Sequence, residues 1–285
     1  MRFLYPCDPF NKKEPDEAYV EEFVAARAAG LACSLYSAED FESGEFKPHP
    51  PFIEREEIIY RGWMLNPNDY ARLLEAIERT GARALTAVAQ YRFCHYLPEW
   101  YPCCKEFTPE TVFVKTGGDY AAAVADRNWP AFFVKDYVKS LTTSRGSVAN
   151  SVGEIAEIVS LIEKYRGQVE GGVCIRKFER LASDTEERYF VFRGKPHARN
   201  GAVPEIVQAV VPRISSPFLS VDVVRSIDGE LRTARFRTKN NGLRSDSWRY
   251  FVADCGEIPG FCSFFGLTVE VEVHCDIRIA VRRIS

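Results

Sequence analysis

The 285-residue chain is 46% apolar and 27% charged with a formal net charge of -3, an ordinary globular composition long enough for about two domains. So balanced a charge excludes general attraction to nucleic acid or an anionic membrane, and any anion must be held by a local cluster of cations. No window approaches ~18 uninterrupted apolar residues, and MRFLYPCDPF lacks the pattern of a leader peptide. A membrane span is therefore not expected, and the cytoplasm is the default compartment.

Met1 to Tyr5 reads as a short strand broken by Pro6 and Pro9. DEAYVEEFVAARAAG places Ala18, Phe23 and Ala26, with Tyr19 and Val24, at helical spacing, and Gly30 stands at the stop. LACSLYS and EIIYRGW read as further strands around a proline-rich loop. NPNDYARLLEAIERTG reads as a helix capped by Asn66 or Asn68 and ended by Gly81. ALTAVAQYRFCHYLPEWY continues the alternation, so the first hundred residues predict a small parallel αβ domain. Such sheets gather ligands at the carboxyl ends of their strands. Arg61, Gly62 and Trp63 follow a strand and fit that rim, or else an exposed pairing of the guanidinium with the indole.

TPETVFVKTGGDYAAAVADRNWP reads as a capped helical region, and SVGEIAEIVSLIEKYRG as a strongly periodic helix closed by Gly167. GGVCIRKFERL and TEERYFVFRGKPHA read as strands, and PFLSVDVVRSIDGELR as a hairpin turning at Asp228 and Gly229. The nine cysteines are dispersed and form no CxxC pair, which points to reduced core thiols rather than a zinc site. His95 beside Cys94 is a weak nucleophile–base candidate.

The stretch PAFFVKDYVKS holds the anomaly. Ala131 to Val134 read as a strand buried on both faces, yet the run ends at Lys135. Either the strand reaches the surface there or the ammonium meets an anion, such as a phosphate, inside a cleft.

A strand ending in lysine, a Ser/Gly loop, a helix, a strand ending in charge, a Glu-x-Arg strand and an Asp-bearing hairpin follow in order. That order resembles the ATP-grasp superfamily. MRFLYPCDPF, YRGWML and CHYLPEWYP bring it nearest the bacterial and phage members with a short αβ N-terminal domain. The resemblance covers roughly Met1 to Arg232, and no one motif in it is as specific as a P-loop. It implies an α+β fold: an α/β pre-domain over residues 1–107, then two subdomains over 108–172 and 173–285 that clasp a nucleotide, with an atypical tail from about 233. It implies ATP and magnesium as cofactors, and a ligase that joins a carboxylate, small or peptide, to an amine-type nucleophile through an acyl phosphate.

Residue by residue, Lys135 matches the phosphate-binding lysine, and Thr142 to Ser147 the loop that folds over the phosphates. Cys174 to Glu179 match the adenine-holding hinge, where Arg176 and Lys177 stand in place of a more usual acidic and basic pair beside Phe178 and Glu179. Glu186 matches the ribose-binding acid. Arg188 would reach the phosphates or the acyl intermediate and, with Lys135, is the expected catalytic residue. Asp222 matches the first magnesium carboxylate.

The departure comes after the hairpin. The family's closing strand, of the type VEIGDGQVSD, is replaced by ELRTARFRTKNNGLRSD, leaving Glu230 as the one acid near that point and the expected second metal ligand. Synonymous codons exist for which TARFRT, read one base earlier, becomes DGQVSD. A genuine variant is the alternative, since LTVEVEVHCDIRIAVRRIS alternates like a half-buried strand pair. Asp246, Asp254 and Glu257 are the acids by which such a tail would complete the metal site. Two classes follow: a ligase, or a nucleotide-binding pseudoenzyme. A nucleic-acid role for Arg232, Arg235, Arg237, Lys239 and Arg244 is disfavoured by the lack of interleaved aromatics.

Overall fold

The computed structural model describes residues 1–141, 143–198, 202–237 and 251–252. Strands β1 (Arg2–Pro6), β2 (Ala32–Tyr36), β3 (Glu57–Tyr60) and β4 (Arg83–Ala84) form a parallel sheet in the order β2-β1-β3-β4. Helices α1 (Val20–Ala28), α2 (Ala38–Glu42) and α3 (Pro67–Arg79) lie in its connections, as parallel neighbours require. Of the two candidate caps it is Asn66 whose side chain accepts from the backbone N–H groups of Asn68 and Asp69. The stretch after β4 is mostly helical, forming α4 (Val88–His95) and α5 (Leu97–Cys104).

The second sheet has the order β5-β8-β6-β7, with β5 (Thr111–Val114), β6 (Phe132–Asp136), β7 (Val148–Ala149) and β8 (Val173–Lys177) paired antiparallel. Its helices are α6 (Tyr120–Val124) and α7 (Val152–Arg166). TVFV, read from sequence as part of a helical region, is strand β5. Its β-branched and aromatic residues suit a pleated surface, and β8 supplies the pairing. The helix ending at Gly167 forms as expected, with that glycine at φ +79 donating back to the Glu163 carbonyl. The expected boundary at 172/173 falls just ahead of β8, whose pairing carries the second sheet to Lys177.

The third sheet, β10-β9-β11-β12, contains β9 (Glu187–Phe192), β10 (Lys195–His197), β11 (Phe218–Arg225) and β12 (Leu231–Arg237), with α8 (Glu205–Val210) before β11. The β11–β12 hairpin turns at Asp228 and Gly229 as the sequence predicts, Gly229 taking φ +87. Among the described residues no helix is long and apolar enough to cross a membrane.

The first and third sheets meet through Arg61. Its side chain is 0% exposed, its Nε and Nη2 donate to Glu22 of α1 at 2.6 and 3.0 Å, and its guanidinium lies 5.4 Å over the rings of both Phe190 and Phe218. Arg61 does follow β3 at its carboxyl end, as expected, but it is buried under the third sheet, and the exposed pairing with Trp63 is corrected. The two phenylalanines of the third sheet offer a larger π surface away from water, while Trp63 stays 44% exposed and donates from its indole to Asp16. Replacing Arg61 with Met should cost about 3–5 kcal/mol by stranding the buried Glu22 carboxylate. Urea unfolding checks this, and the Glu22→Leu/Arg61→Met double variant should recover most of the loss.

Candidate functional site

Strand β6 alternates rather than being buried on both faces. Phe132 and Val134 pack with Ile155, Ile158 and Ile162 of α7, whereas Phe133 and Lys135 are half-buried on the other face. The register carries that second face across the sheet: Lys135 pairs with Cys174, Phe133 with Arg176, and Arg176 with Thr111. Lys135 and Arg176 thus flank the Cys174 thiol, and the Lys135 ammonium donates to the Asp136 carbonyl at 2.7 Å. Asp136 is fully buried and fixes the turn after β6. Its carboxylate accepts from the backbone N–H groups of Val138 and Lys139 and pairs with Arg166 at 2.6 Å.

Arg176 is buried and also ties two sheets together. Its Nη2 donates to the Thr108 hydroxyl at 2.6 Å, and that hydroxyl donates to the Thr233 carbonyl of β12 at 2.9 Å. Sequence reasoning missed Thr108 and Thr233, because nothing local marks a hydroxyl whose partners lie 68 and 125 residues away. Of the other hinge candidates, Lys177 points to solvent and Phe178 is half-buried with its N–H on the Ala131 carbonyl. Glu179 accepts from Arg232 Nε at 2.9 Å. The loop candidate Thr142 lies outside the described residues. Within 143–147, Arg145 is tied to Glu154 and Glu157 of α7 and to the Val148 carbonyl.

The third sheet has two unlike faces. Leu219, Val221 and Val223, with Tyr189 and Val191, pack against Ile206, Val207 and Val210 of α8. The opposite face carries Phe218, Ser220 and Asp222 on β11 and Arg188 and Phe190 on β9, with both rings packed toward Phe3 and Tyr5 of β1. Arg188 and Asp222 stand directly opposite, and Arg188 donates from Nε and Nη2 to the two carboxylate oxygens at 2.6 and 3.0 Å. Burial works against the guanidinium charge, but the Asp222 carboxylate outweighs it, with Glu186 and Glu22 adding, and holds the Arg188 pKa above the ordinary arginine value. Glu186 itself is exposed.

The expected metal pair is not brought together. Glu230 is exposed at the turn, where its backbone pairs with Ser226 and its carboxylate meets Arg232. Ser226 is four residues along from Asp222, a separation of roughly 13 Å at ~3.3 Å per residue. Magnesium held at 2.0–2.1 Å by each ligand cannot span that. The residue that stands across from Asp222 on β12 is Arg235. Among the described residues no cluster of three His, Cys, Asp or Glu side chains could hold a metal ion, so magnesium does not fit the residues expected to bind it. Asp246, Asp254 and Glu257 lie outside the described residues.

Cys94 and His95 form no catalytic pair. Burial pushes the Cys94 thiol up to about 12, and the His95 ring is tilted over Tyr91 with Nδ1 donating to the Tyr91 carbonyl.

No family model matches this chain, and no curated protein is significantly similar to it. Solved structures do match. D-cycloserine synthetase is 14% identical with a TM-score of 0.57, over 90% of this chain and 100% of that one. A RimK domain ATP-grasp protein from Sphaerobacter thermophilus is 14% identical with a TM-score of 0.57, over 89% and 98%. The D-alanine-D-alanine ligase of Coxiella burnetii is 10% identical with a TM-score of 0.56, over 89% and 94%.

The fold is that of the ATP-grasp superfamily. It is α+β, and the expectation drawn from the order of elements holds. In this chain the buried thiol beside the two cations is no nucleophile. Burial pushes Cys174 up to about 11 against the opposing pull of Lys135 and Arg176. A thiol that is harder to ionise folded than unfolded favours the fold below its ordinary pKa of ~8.5 and opposes it above. Urea unfolding should therefore show stability falling from about pH 9 upward, by up to ~1.4 kcal/mol per pH unit for each such thiol. Cys174→Ala should flatten that slope.

Proposed function

We propose that this chain binds ATP between its second and third sheets, as a protein of the ATP-dependent ligase type. The observation that carries the reading is Lys135: a half-buried ammonium on the face of β6 turned away from α7, in an ATP-grasp fold. A lysine half-buried on a strand face that is not committed to a helix suits a point charge for phosphate. Arg176, beside it on the neighbouring strand, and Arg188, on the third sheet, would add to the field on the triphosphate. Phe178 and Glu179, on the segment leaving β8, would hold the nucleoside, with Lys177 at its edge and Glu186 reaching the ribose.

Bound ATP supplies an activated phosphoryl group. The part of this chain is to position a carboxylate acceptor and an amine-type nucleophile against it and to keep water out. The names of the structural neighbours, a synthetase and a ligase of amino acids among them, support that class.

A second reading, a nucleotide-binding module with little turnover, is favoured by the Asp222 carboxylate, closed on Arg188 with Arg235 across the strand. Loss of a metal-holding carboxylate removes on the order of a thousandfold in rate. Millimolar ATP should raise the melting temperature, and Lys135→Ala should abolish that rise with the unliganded melting temperature within a few degrees of the parent. The two readings part on ADP release: robust production lost in Asp222→Ala marks the ligase, and none above background marks the binding module.

A further inference from the structure

The residues around Asp222 carry an inference about the form in which this cleft takes its anion. We propose that it binds the polyphosphate free of magnesium, the cations of the protein standing where a divalent ion would be needed. The inference rests on the ATP-binding reading above and adds to it the protonic and ionic state of the ligand.

Three observations converge. The Asp222 side chain is almost wholly buried, and both of its oxygens accept from one guanidinium, at 2.6 and 3.0 Å. A magnesium ion brought to either oxygen would sit beside the fixed positive charge of Arg188, where like charges repel and little water screens them. Second, among the described residues the register puts arginine positions on both sides of Asp222, Arg188 on β9 and Arg235 on β12, and no carboxylate at its paired positions. Third, Glu230 is committed to the turn and to Arg232.

Magnesium demands near-octahedral oxygen ligands and parts reluctantly with its water, so one carboxylate already closed on arginine is a poor anchor. A metal-free triphosphate has the opposite need. Its oxygens accept hydrogen bonds, and guanidinium and ammonium groups donate them in pairs and forks. The ligand class is therefore a nucleoside polyphosphate as its free anion, with Asp222 acting as a competitor that phosphate displaces from Arg188.

The test is the melting temperature of the full chain with millimolar ATP, once in excess EDTA and once in excess magnesium chloride. The expected result is a shift in EDTA at least as large as in magnesium. A shift that appears only with magnesium overturns the inference and leaves the ATP-binding reading standing, whereas no shift in either condition removes both. Asp222→Asn keeps the size of the side chain and one acceptor for Arg188 while removing the competing charge. It should tighten ATP binding in EDTA roughly tenfold, and weaker binding by a folded Asp222→Asn chain overturns the proposal. Should that variant fail to fold, Arg235→Glu puts an acidic residue at the register position paired with Asp222 and should give the ATP shift a magnesium dependence that the parent lacks. A folded Arg235→Glu chain whose shift is the same in EDTA and magnesium counts against the proposal.

Discussion

The pairing of Arg61 with Glu22, inserted between the first sheet and the aromatic rings of the third, is the constraint on which the rest of the arrangement hangs. An arginine removed from water loses its hydration, and a bidentate carboxylate and two ring faces offset that loss. Those partners come from α1, β9 and β11. The rings can cover the pair only when the parallel sheet is seated on the Phe190 and Phe218 face of the antiparallel one. The same face carries Arg188 and Asp222 further along the strands, so seating the first sheet also sets the surroundings of that second ion pair.

Alternation along β9 and β11 then divides the chemistry. One set of residues turns toward α8 and is apolar, while the other, one residue out of step, carries aromatic rings and an ion pair. The second sheet works in the same way. Phe132 and Val134 face α7, and Phe133 and Lys135, with Cys174 and Arg176 next to them, face away. The second sheet thus presents Lys135 and Arg176, and the third the balanced Arg188–Asp222 pair, on the face that is not committed to a helix. Arg176, Thr108 and Thr233 form a chain of hydrogen bonds that holds the two sheets at one separation.

Among the described residues, Arg176 and Arg188 are the buried cations of these two faces, and no three carboxylates gather there to hold a metal. Arginine cannot be deprotonated in a protein and presents its donors as a planar fork. A site built on it recognises phosphate oxygens directly and holds the same charge across the physiological range of pH. Asp222, closed within this arrangement, balances Arg188.

Much of this was legible in the chain itself. The parallel αβ unit, the helix ending at Gly167, the hairpin at Asp228 and Gly229 and the position of Lys135 on a strand all follow from period, caps and turns, which act over a few residues. Sequence pattern did less well where a short segment is decided by its partner: TVFV became strand β5 because β8 pairs with it. It could not choose among partners for the charged residues. Arg61 found Glu22 across 39 residues rather than the nearby Trp63, and Asp222 found Arg188 across 34 rather than Glu230 eight positions away. Those choices belong to the tertiary structure because ion pairs form where strand register and burial bring charges together, and neither register nor burial is a property of the local sequence.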